Sequence, residues 1–489
     1  MGHVIGVDVG SQSIKGVLVD ESGATTAVAS APLRMHHRES GWAEQLPADW
    51  TTGLCLVVRQ LLADHAVPVD MLALASQVDG VVPVDADGRP LRQALIWLDR
   101  RATDQSDALA DAVGEQWLFE RTGLNADASH SAPKMMWLRD HDPEVWRLTR
   151  KLLPVGGYLL AWLTGTFLQD PANASSTLLY DLHTGDYDPQ LCEAAGIDPA
   201  LLPAVAPATQ VAGGLTRTAA EALGLPRECR VVVGTGDEHA ASLAAGAIAP
   251  GVVADVTGTA EPVTAAAHEL VLDADRLVET HGHAVPGTYL VENPGFVSGG
   301  STLWLATAVL DVAQSDIFDL ADEAPPGSDG VLFLPALTGA TAPRWNADMR
   351  GCFNGLSMNH GRPHLARAVL EGCAYALRDI VDRLDALGLA GDEVRIVGGG
   401  GRSPLWCRIK ADVLGRPVRP VLSQEGTALG AAMLAGTASG IFRDIGDAVA
   451  RTVRLAPEPV LPGRAATDVY AESYVRYRAL FDGVEGALL

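Results

Sequence analysis

The sequence predicts an α/β protein built as two similar lobes facing one another across a cleft, and three observations predict it. Short apolar runs alternate with helical stretches, as "LALASQVDGVVPVDADG" and "ADWTTGLCLVVRQLLADH" illustrate, and such alternation marks an α/β architecture. Two stretches in different halves, "VIGVDVGSQSIKGVLVD" and "GVVADVTGTAEPVTAAA", both read as strand, Gly/hydroxyl turn, strand, with Asp8 and Asp255 shortly before the turn. A chain of 489 residues with 48% hydrophobic content is also ample for two large cores.

The chain opens on the first hairpin. Gly-rich turns that hold phosphate usually lead into a helix. Here Gly10, Ser11, Gln12 and Ser13 lead into "GVLVD", a second strand, so the tip offers backbone N–H groups and two hydroxyls. Next, "ADWTTGLCLVVRQLLADH" has the spacing of an amphipathic helix, and "LALASQVDGVVPVDADG" reads as strand, functional turn, strand and hairpin turn. "SAPKMMWLRDHDPEVWRLT" reads as another amphipathic helix. "LLPVGGYLLAWLTGTF" comes nearest to a membrane span, but it is short and broken by Pro154, Gly156 and Gly157, so it reads as a buried helix. The Pro- and Gly-rich "IDPALLPAVAPATQVAGG" reads as a long surface connection. Strands resume near residue 231 with "RVVVGTGDEHAAS", followed by the second hairpin. Each hairpin is suited to grip one end of a polyphosphate. The expected boundaries are 1–245 and 246–450, with 451–489 as a C-terminal tail.

Charge and cysteines narrow the function. A formal net charge of −24 argues against general affinity for nucleic acid or anionic membrane, because phosphate contacts need clustered Lys and Arg. The six cysteines form no CxxC or CxxH spacing, which suits a reducing compartment. The N-terminus enters a strand without a basic segment and apolar core, so the expectation is a cytoplasmic protein.

Taken in order, "GVDVGSQSIKG", "GWAEQLPADW", "ASQVDGVVPVD", "LIWLDRRA", "SAPKMMWL", "STLLYDLHTGDYD", "GTGDEHAAS", "TGTAEP", "RGCFNGL", "LARAVLEGCAYALRD", "IVGGGGRS" and "EGTALGAA" resemble the FGGY family of carbohydrate kinases, from about Val4 to Phe442. The resemblance implies the actin/hexokinase-type ATPase fold, with duplicated ribonuclease-H-like domains. It implies ATP-dependent phosphorylation of a small sugar or polyol, with Mg²⁺ as cofactor, and it admits a homodimer. The turn Gly10, Ser11, Gln12 and Ser13 would lie against the nucleotide phosphates, with Lys15 adding charge. Asp8 would hold the magnesium through water, with Asp237 as the second carboxylate near it; one carboxylate beside the phosphates suffices, because Mg²⁺ keeps several waters. Read alone, Asp8 is equally a strand-end carboxylate capping its turn.

Gly258 and Thr259 resemble the second phosphate loop. The family more often has Gly-Thr-Ser there, whereas this chain has Gly-Thr-Ala-Glu-Pro, which leaves the role of Glu261 open. "FVSGGSTLWL" resembles another nucleotide-side element, with Gly299 and Gly300 allowing close approach. In "IVGGGGRS" the adenine would lie flat against Gly399, Gly400 and Gly401, with Ser403 closing the turn. The same glycines without a ligand make a tight strand-to-helix turn, and the dinucleotide fingerprint is broken at Arg402 and Ser403.

Phosphoryl transfer needs a group to take the acceptor's proton. Asp237 follows an apolar strand and precedes a small-residue helix, matching the family's Gly-Asp element, whose Asp is the catalytic base; a helix N-cap is its ordinary alternative. A metal site formed by Asp237, Glu238 and His239 is disfavoured, because consecutive residues point different ways. On the acceptor side, Gln77, Val78, Asp79 and Gly80 stand where xylulokinases tend to have Gln-Met-His-Gly. Asp79 puts a carboxylate where glycerol kinases put one, and "APRWNADMRG" is also similar to their "APYWDPDARG". Trp97 and Asp99 would supply an apolar wall and support beneath the substrate. Asp79 is otherwise a turn-forming Asp before Gly. His281 and His283 read as loop histidines, and Glu371-Gly372 as part of a core helix. The expected acceptor is a ketopentose such as D-xylulose. Ribulose, xylitol, erythritol or glycerol are the alternatives, as is a non-transferring ATPase of the same superfold.

Overall fold

A computed structural model describes residues 2–65, 67–423 and 425–488. Its first sheet holds β1 (His3–Val9), β2 (Ser13–Val19), β3 (Thr25–Pro32), β4 (Val69–Ser76), β5 (Val211–Gly214) and β6 (Arg230–Val232), in the order β5-β6-β4-β1-β2-β3. The pair Thr235–Gly236 adds to β4. Its second sheet holds β7 (Val252–Thr257), β8 (Val263–Ala267), β9 (Glu279–Gly282), β10 (Tyr289–Asn293), β11 (Glu393–Gly398) and β12 (Val418–Pro420), in the order β9-β10-β8-β7-β11-β12.

The two sheets share a motif. In the first, β1 pairs parallel with β4 and antiparallel with β2, which pairs antiparallel with β3. In the second, β7 pairs parallel with β11 and antiparallel with β8, which pairs antiparallel with β10. The repeat of two hairpins is therefore a repeat of two sheets.

The hairpin strands read as nearly continuous apolar runs because both faces of the first sheet are covered. Ile5, Val7, Val9, Ile14 and Leu18 pack under α1 (Pro47–Leu62), through Trp50, Leu54, Val57, Val58 and Leu61. Val4, Val17 and Val19 pack on the opposite face, against α5 (Asp237–Ala245) and α9 (Gly426–Ser439). The latter helix comes from the far end of the chain. It seats so closely that a Cβ at Gly6 would stand 2.1 Å from the Ala428 carbonyl oxygen.

Four expectations are corrected. "SAPKMMWLRDHDPEVWRLT" is two helices, α2 (Ser131–His141) and α3 (Pro143–Leu148). Asp142 before Pro143 is driven out of the helical region (φ −132°, ψ 62°) and its side chain caps α3 instead. The buried helix α4 (Val155–Thr164) forms as expected, but the Pro- and Gly-rich segment after it is more than a surface connection: Ala206 and Ala208 are buried and its end forms β5. His281 lies within strand β9 and His283 just beyond it, both buried; pairing with β10 holds them there, a context that flanking Thr and Gly residues conceal in the sequence. Finally, the stretch read as a C-terminal tail holds α10 (Arg464–Leu488), which buries Tyr470, Tyr477 and Phe481 in the second core. The second lobe also contains α6 (Gly299–Trp304), α7 (Arg362–Ala386) and α8 (Pro404–Leu414).

Candidate active site

The first hairpin and the start of α5 meet at the cleft. Asp8 stands opposite Lys15 in the hairpin register, and its Oδ1 is buried without a hydrogen-bond partner. Burial pushes the Asp8 carboxyl well above its usual range; the charges of Asp237 and Glu425 push the same way and Lys15 opposes them. Lys15 Nζ is held 2.8 Å from Glu425, at the start of α9, so its charge is shared with a carboxylate from the far end of the chain. At the tip, Gly10 N–H donates to Ser13 O at 3.1 Å. Among the described residues, nothing accepts from the N–H groups of Ser11 or Gln12, which leaves two donors for an anion.

This arrangement fits a divalent cation. A buried, unpartnered carboxylate oxygen next to a second carboxylate is costly unless an opposing charge meets it. Among the described residues no cluster of three or more His, Cys, Asp or Glu side chains could hold a metal, so phosphate and water would complete the shell of an ion held by Asp8 and Asp237.

Asp237 is the first residue of α5, with Gly236 at the N-cap position. Its Oδ1 accepts from Glu238 N–H at 3.1 Å. Small residues set its position: a Cβ on Gly430 would stand 2.0 Å from Ala240 O, so α9 and α5 press backbone to backbone. Val78 packs beneath, since a Cβ on Gly236 would meet Val78 Cγ1 at 2.7 Å. Burial pushes the Asp237 carboxyl up to about 6, with the Asp79 charge adding and backbone hydrogen bonds at its own and the next residue opposing. A base at that value is ionised at pH 7. As pH falls through about 6 it takes up a proton, so kcat/KM is expected to drop about tenfold per unit below that point. A rate profile flat from neutral pH down to 4.5 contradicts the assignment.

Asp79 sits in the left-handed region (φ 61°) at the end of the β4 turn, a conformation that Asp tolerates better than most residues. His130 Nδ1 lies 3.3 Å from Asp79 Oδ1, and Lys134 Nζ donates to Asp79 O at 2.8 Å. Burial alone would lower the His130 imidazole. The charge and hydrogen bond of Asp79, joined by Glu279 and Asp127, outweigh it and raise the group to about 9. His130 is therefore a cation at neutral pH. Behind Asp237, the Glu238 carboxyl is buried beside the charge of Glu292 from the other lobe, and His281 Nε2 lies 3.1 Å from Glu292 Oε1. Burial raises both carboxyls, Glu292 to about 8.

The remaining acceptor-side residues divide. Gln77 is buried; its amide nitrogen donates to Gln45 Oε1 at 2.8 Å and to Gly10 O at 3.4 Å, while its own Oε1 is buried without a partner. Gln45 in turn donates to Ser11 O at 2.7 Å, so both glutamines brace the first turn from behind. Trp97 is 37% exposed and free to present its ring. Asp99 is buried and accepts two hydrogen bonds from the Arg101 guanidinium, which stacks 3.5 Å over Trp42. It supports rather than contacts.

On the nucleotide side, the amides of Ser298 and Gly300 donate to Thr259 O, and that of Gly299 donates to Gly258 O. A Cβ at Gly299 would stand 2.3 Å from Gly258 O, so this glycine lets α6 close on the second hairpin. Gly400 is excluded from bearing a side chain by Thr257, 2.5 Å from its would-be Cβ, whereas Gly399 is exposed and Gly401 half-buried. Ser403 caps α8, its Oγ accepting from Trp406 N–H at 3.2 Å. Glu261, whose role the sequence leaves open, is buried: it lies 3.0 Å from Lys410 Nζ and accepts from Ser298 Oγ. Sequence reasoning missed His130, Lys134, Glu292, Lys410 and Glu425. "SAPKMMWL" was legible as part of a helix, but nothing in it or in the preceding His130 signals the contact with Asp79.

The description of the FGGY family of carbohydrate kinases matches this chain twice, its N-terminal domain over residues 3–244 and its C-terminal domain over residues 229–439. The chain is 30% identical over 447 residues to a xylulose kinase of Lactococcus lactis, covering 90% of this chain and 89% of that one. It is 32% identical over 456 residues to a glycerol kinase of Gloeobacter violaceus, covering 92% and 90%. Among solved structures, a xylulose kinase from Rhodospirillum rubrum matches with a TM-score of 0.90 at 31% identity, over 99% of both chains. A gluconate kinase from Lactobacillus acidophilus shares the fold, with a TM-score of 0.93 at 24% identity over 99% and 98% of the chains.

Proposed function

The chain belongs to the FGGY family of carbohydrate kinases, with the two-lobed actin/hexokinase-type fold, and is an ATP-dependent kinase; on that premise we propose that its acceptor is a short, uncharged, open-chain ketose or polyol, D-xylulose first. The observation that carries this reading is the Asp79–His130 pair close to Asp237. An acceptor hydroxyl can donate to the carboxylate while its neighbour accepts from the imidazolium, a match to vicinal hydroxyls. Around them the carboxyl groups of Asp79, Asp237 and Glu279 outnumber the cations His130 and Lys134, while burial raises Glu238 and Glu292 toward their neutral forms. A sugar acid would bring a carboxylate into that surplus, and like charge there is repelled.

In this reading Asp237 takes the proton as the acceptor oxygen attacks the γ-phosphorus, and the bond to the β-phosphate oxygen breaks to release ADP. The tip amides of Ser11 and Gln12 and the hairpin at Gly258 and Thr259 hold the phosphates. Lys15 exchanges its partner Glu425 for phosphate. Asp8 and Asp237 would hold Mg²⁺, which when bound would supply neutralisation of the phosphate charge. Gly399 offers its face to the adenine. All six cysteines are unpaired, and no described helix is long and apolar enough to cross a membrane, which support a cytoplasmic setting.

A coupled ADP-release assay tests the acceptor class, each acceptor being added singly. D-xylulose should stimulate release most, with ribulose, xylitol, erythritol and glycerol behind and gluconate inactive. Release that no acceptor stimulates, or that gluconate stimulates most, overturns it.

A further inference from the structure

Three nucleotide-side elements converge on one buried lysine. Lys410, on α8 and fully buried, donates from Nζ to Asp255 Oδ2 at 2.6 Å and to Thr257 Oγ1 at 2.7 Å, and the same nitrogen lies 3.0 Å from Glu261 Oε1. Asp255 and Thr257 belong to β7, and Glu261 to the tip of the second hairpin. Ser298, just before α6, donates to the other Glu261 oxygen. Thr257 is also the residue on which Gly400 rests, and its carbonyl accepts from Gly399 N–H at 3.1 Å. The hairpin tip, α6 and the glycine turn are thus fastened to one cation. Here the usual Gly-Thr-Ser of the family reads Gly-Thr-Ala-Glu-Pro.

We propose that Glu261, paired with Lys410, is a positioning residue for ATP: it fixes the second hairpin, and the charge it carries governs how tightly that hairpin holds the nucleotide's phosphates. This rests on the reading of Gly258 and Thr259 as a phosphate loop. Burial raises the Glu261 carboxyl to about 8, with the Asp255 charge adding and Lys410 and Ser298 opposing. At pH 7 Glu261 is therefore neutral, and Lys410 is balanced by Asp255. Above about 8 Glu261 loses its proton, the network gains a negative charge, and the phosphates beside it are repelled. Other titratable groups facing the network do not change charge there: burial pushes the Cys373 thiol far up, Cys407 rises to about 11, and Lys410 is held above its ordinary value by the two carboxylates despite its burial. Trp406, whose ring lies 4.9 Å from Lys410 Nζ, does not titrate.

The test measures KM for ATP, KM for the best acceptor, and kcat at pH 7 and pH 9 in the wild-type protein, Glu261→Gln and Gly258→Val. In the wild type, KM for ATP should rise roughly tenfold between the two pH values, the scale of one added charge near a phosphate. The Glu261→Gln protein should show no such rise, with its acceptor KM equal to wild type. A Cβ at Gly258 meets only Ala260 O, at 3.4 Å, so Gly258→Val should fold and raise KM for ATP by blocking the phosphate's approach. If Glu261→Gln keeps the wild-type rise, or shifts the acceptor KM as much as that for ATP, while Gly258→Val weakens ATP, the proposal for Glu261 fails alone. If Gly258→Val leaves KM for ATP unchanged, the phosphate-loop reading fails and takes this proposal with it. Should Glu261→Gln not fold, calorimetric titration of the wild-type protein with ADP decides. Phosphate's own ionisation near ~6 is complete by then, so affinity that stays flat from pH 7 to 9.5 overturns the proposal.

Discussion

Asp237→Asn is expected to fold and bind ATP while losing about 10²- to 10⁴-fold in kcat, the usual cost of removing a general base. The substitution keeps the shape of the side chain, and an amide oxygen can still accept from Glu238 N–H, as Asp237 Oδ1 does at 3.1 Å. Gly236 rather than Asp237 occupies the N-cap position, so α5 does not depend on this carboxylate for its start. The change therefore removes a basic oxygen and one negative charge next to Asp8, which should ease ionisation of Asp8. Stopped turnover with retained melting temperature and ATP affinity is the expected pattern. Turnover within a few-fold of wild type eliminates Asp237 as the base.

Asp79→Ala should raise the acceptor KM by about 5- to 150-fold, the equivalent of leaving a buried polar group unsatisfied at roughly 1–3 kcal/mol. ATP affinity should stay nearly unchanged, because the contacts of Asp79 run to His130 and Lys134 and not to either hairpin. His130 loses its main stabilising charge in this variant, so its imidazole returns toward its neutral form at pH 7. Asp79→Asn tolerates the left-handed backbone at φ 61° and keeps one acceptor oxygen. It should fall between wild type and Asp79→Ala. An unchanged acceptor KM and kcat in both variants makes the turn structural and removes the acceptor assignment.

Features carried by local pattern were legible in the sequence. Strands covered on both faces read as continuous apolar runs, so both hairpins and their duplication stood out. Asp237 stood out because a strand, a glycine and a helix of small residues frame it within a few positions. What long-range packing decides was not legible. Lys410 meets Asp255 across 155 positions, and His130 meets Asp79 across 51. Neither lysine nor histidine carries a periodic signal that names its partner. Glu425 reaches Lys15 only because α9 returns to cover the first sheet, a crossing that the alanine-rich sequence of that helix does not announce. Gln77 shows the converse. Its place beside Asp79 in the sequence suggested an acceptor ligand, while packing turns its amide nitrogen to Gln45 and the Gly10 carbonyl and leaves only its Oε1 without a partner.

Selection by the cleft of a short uncharged open-chain acceptor should show in a one-pot competition. Wild-type protein receives limiting ATP with equimolar D-xylulose, ribulose, xylitol, erythritol, glycerol and gluconate, and ³¹P NMR identifies the first phosphate ester to form. The expected first product is the ester of a ketopentose, D-xylulose ahead of ribulose, with no phosphorylated gluconate while neutral acceptors remain. Phosphorylated gluconate appearing first, or inorganic phosphate in place of any ester, would contradict that selection.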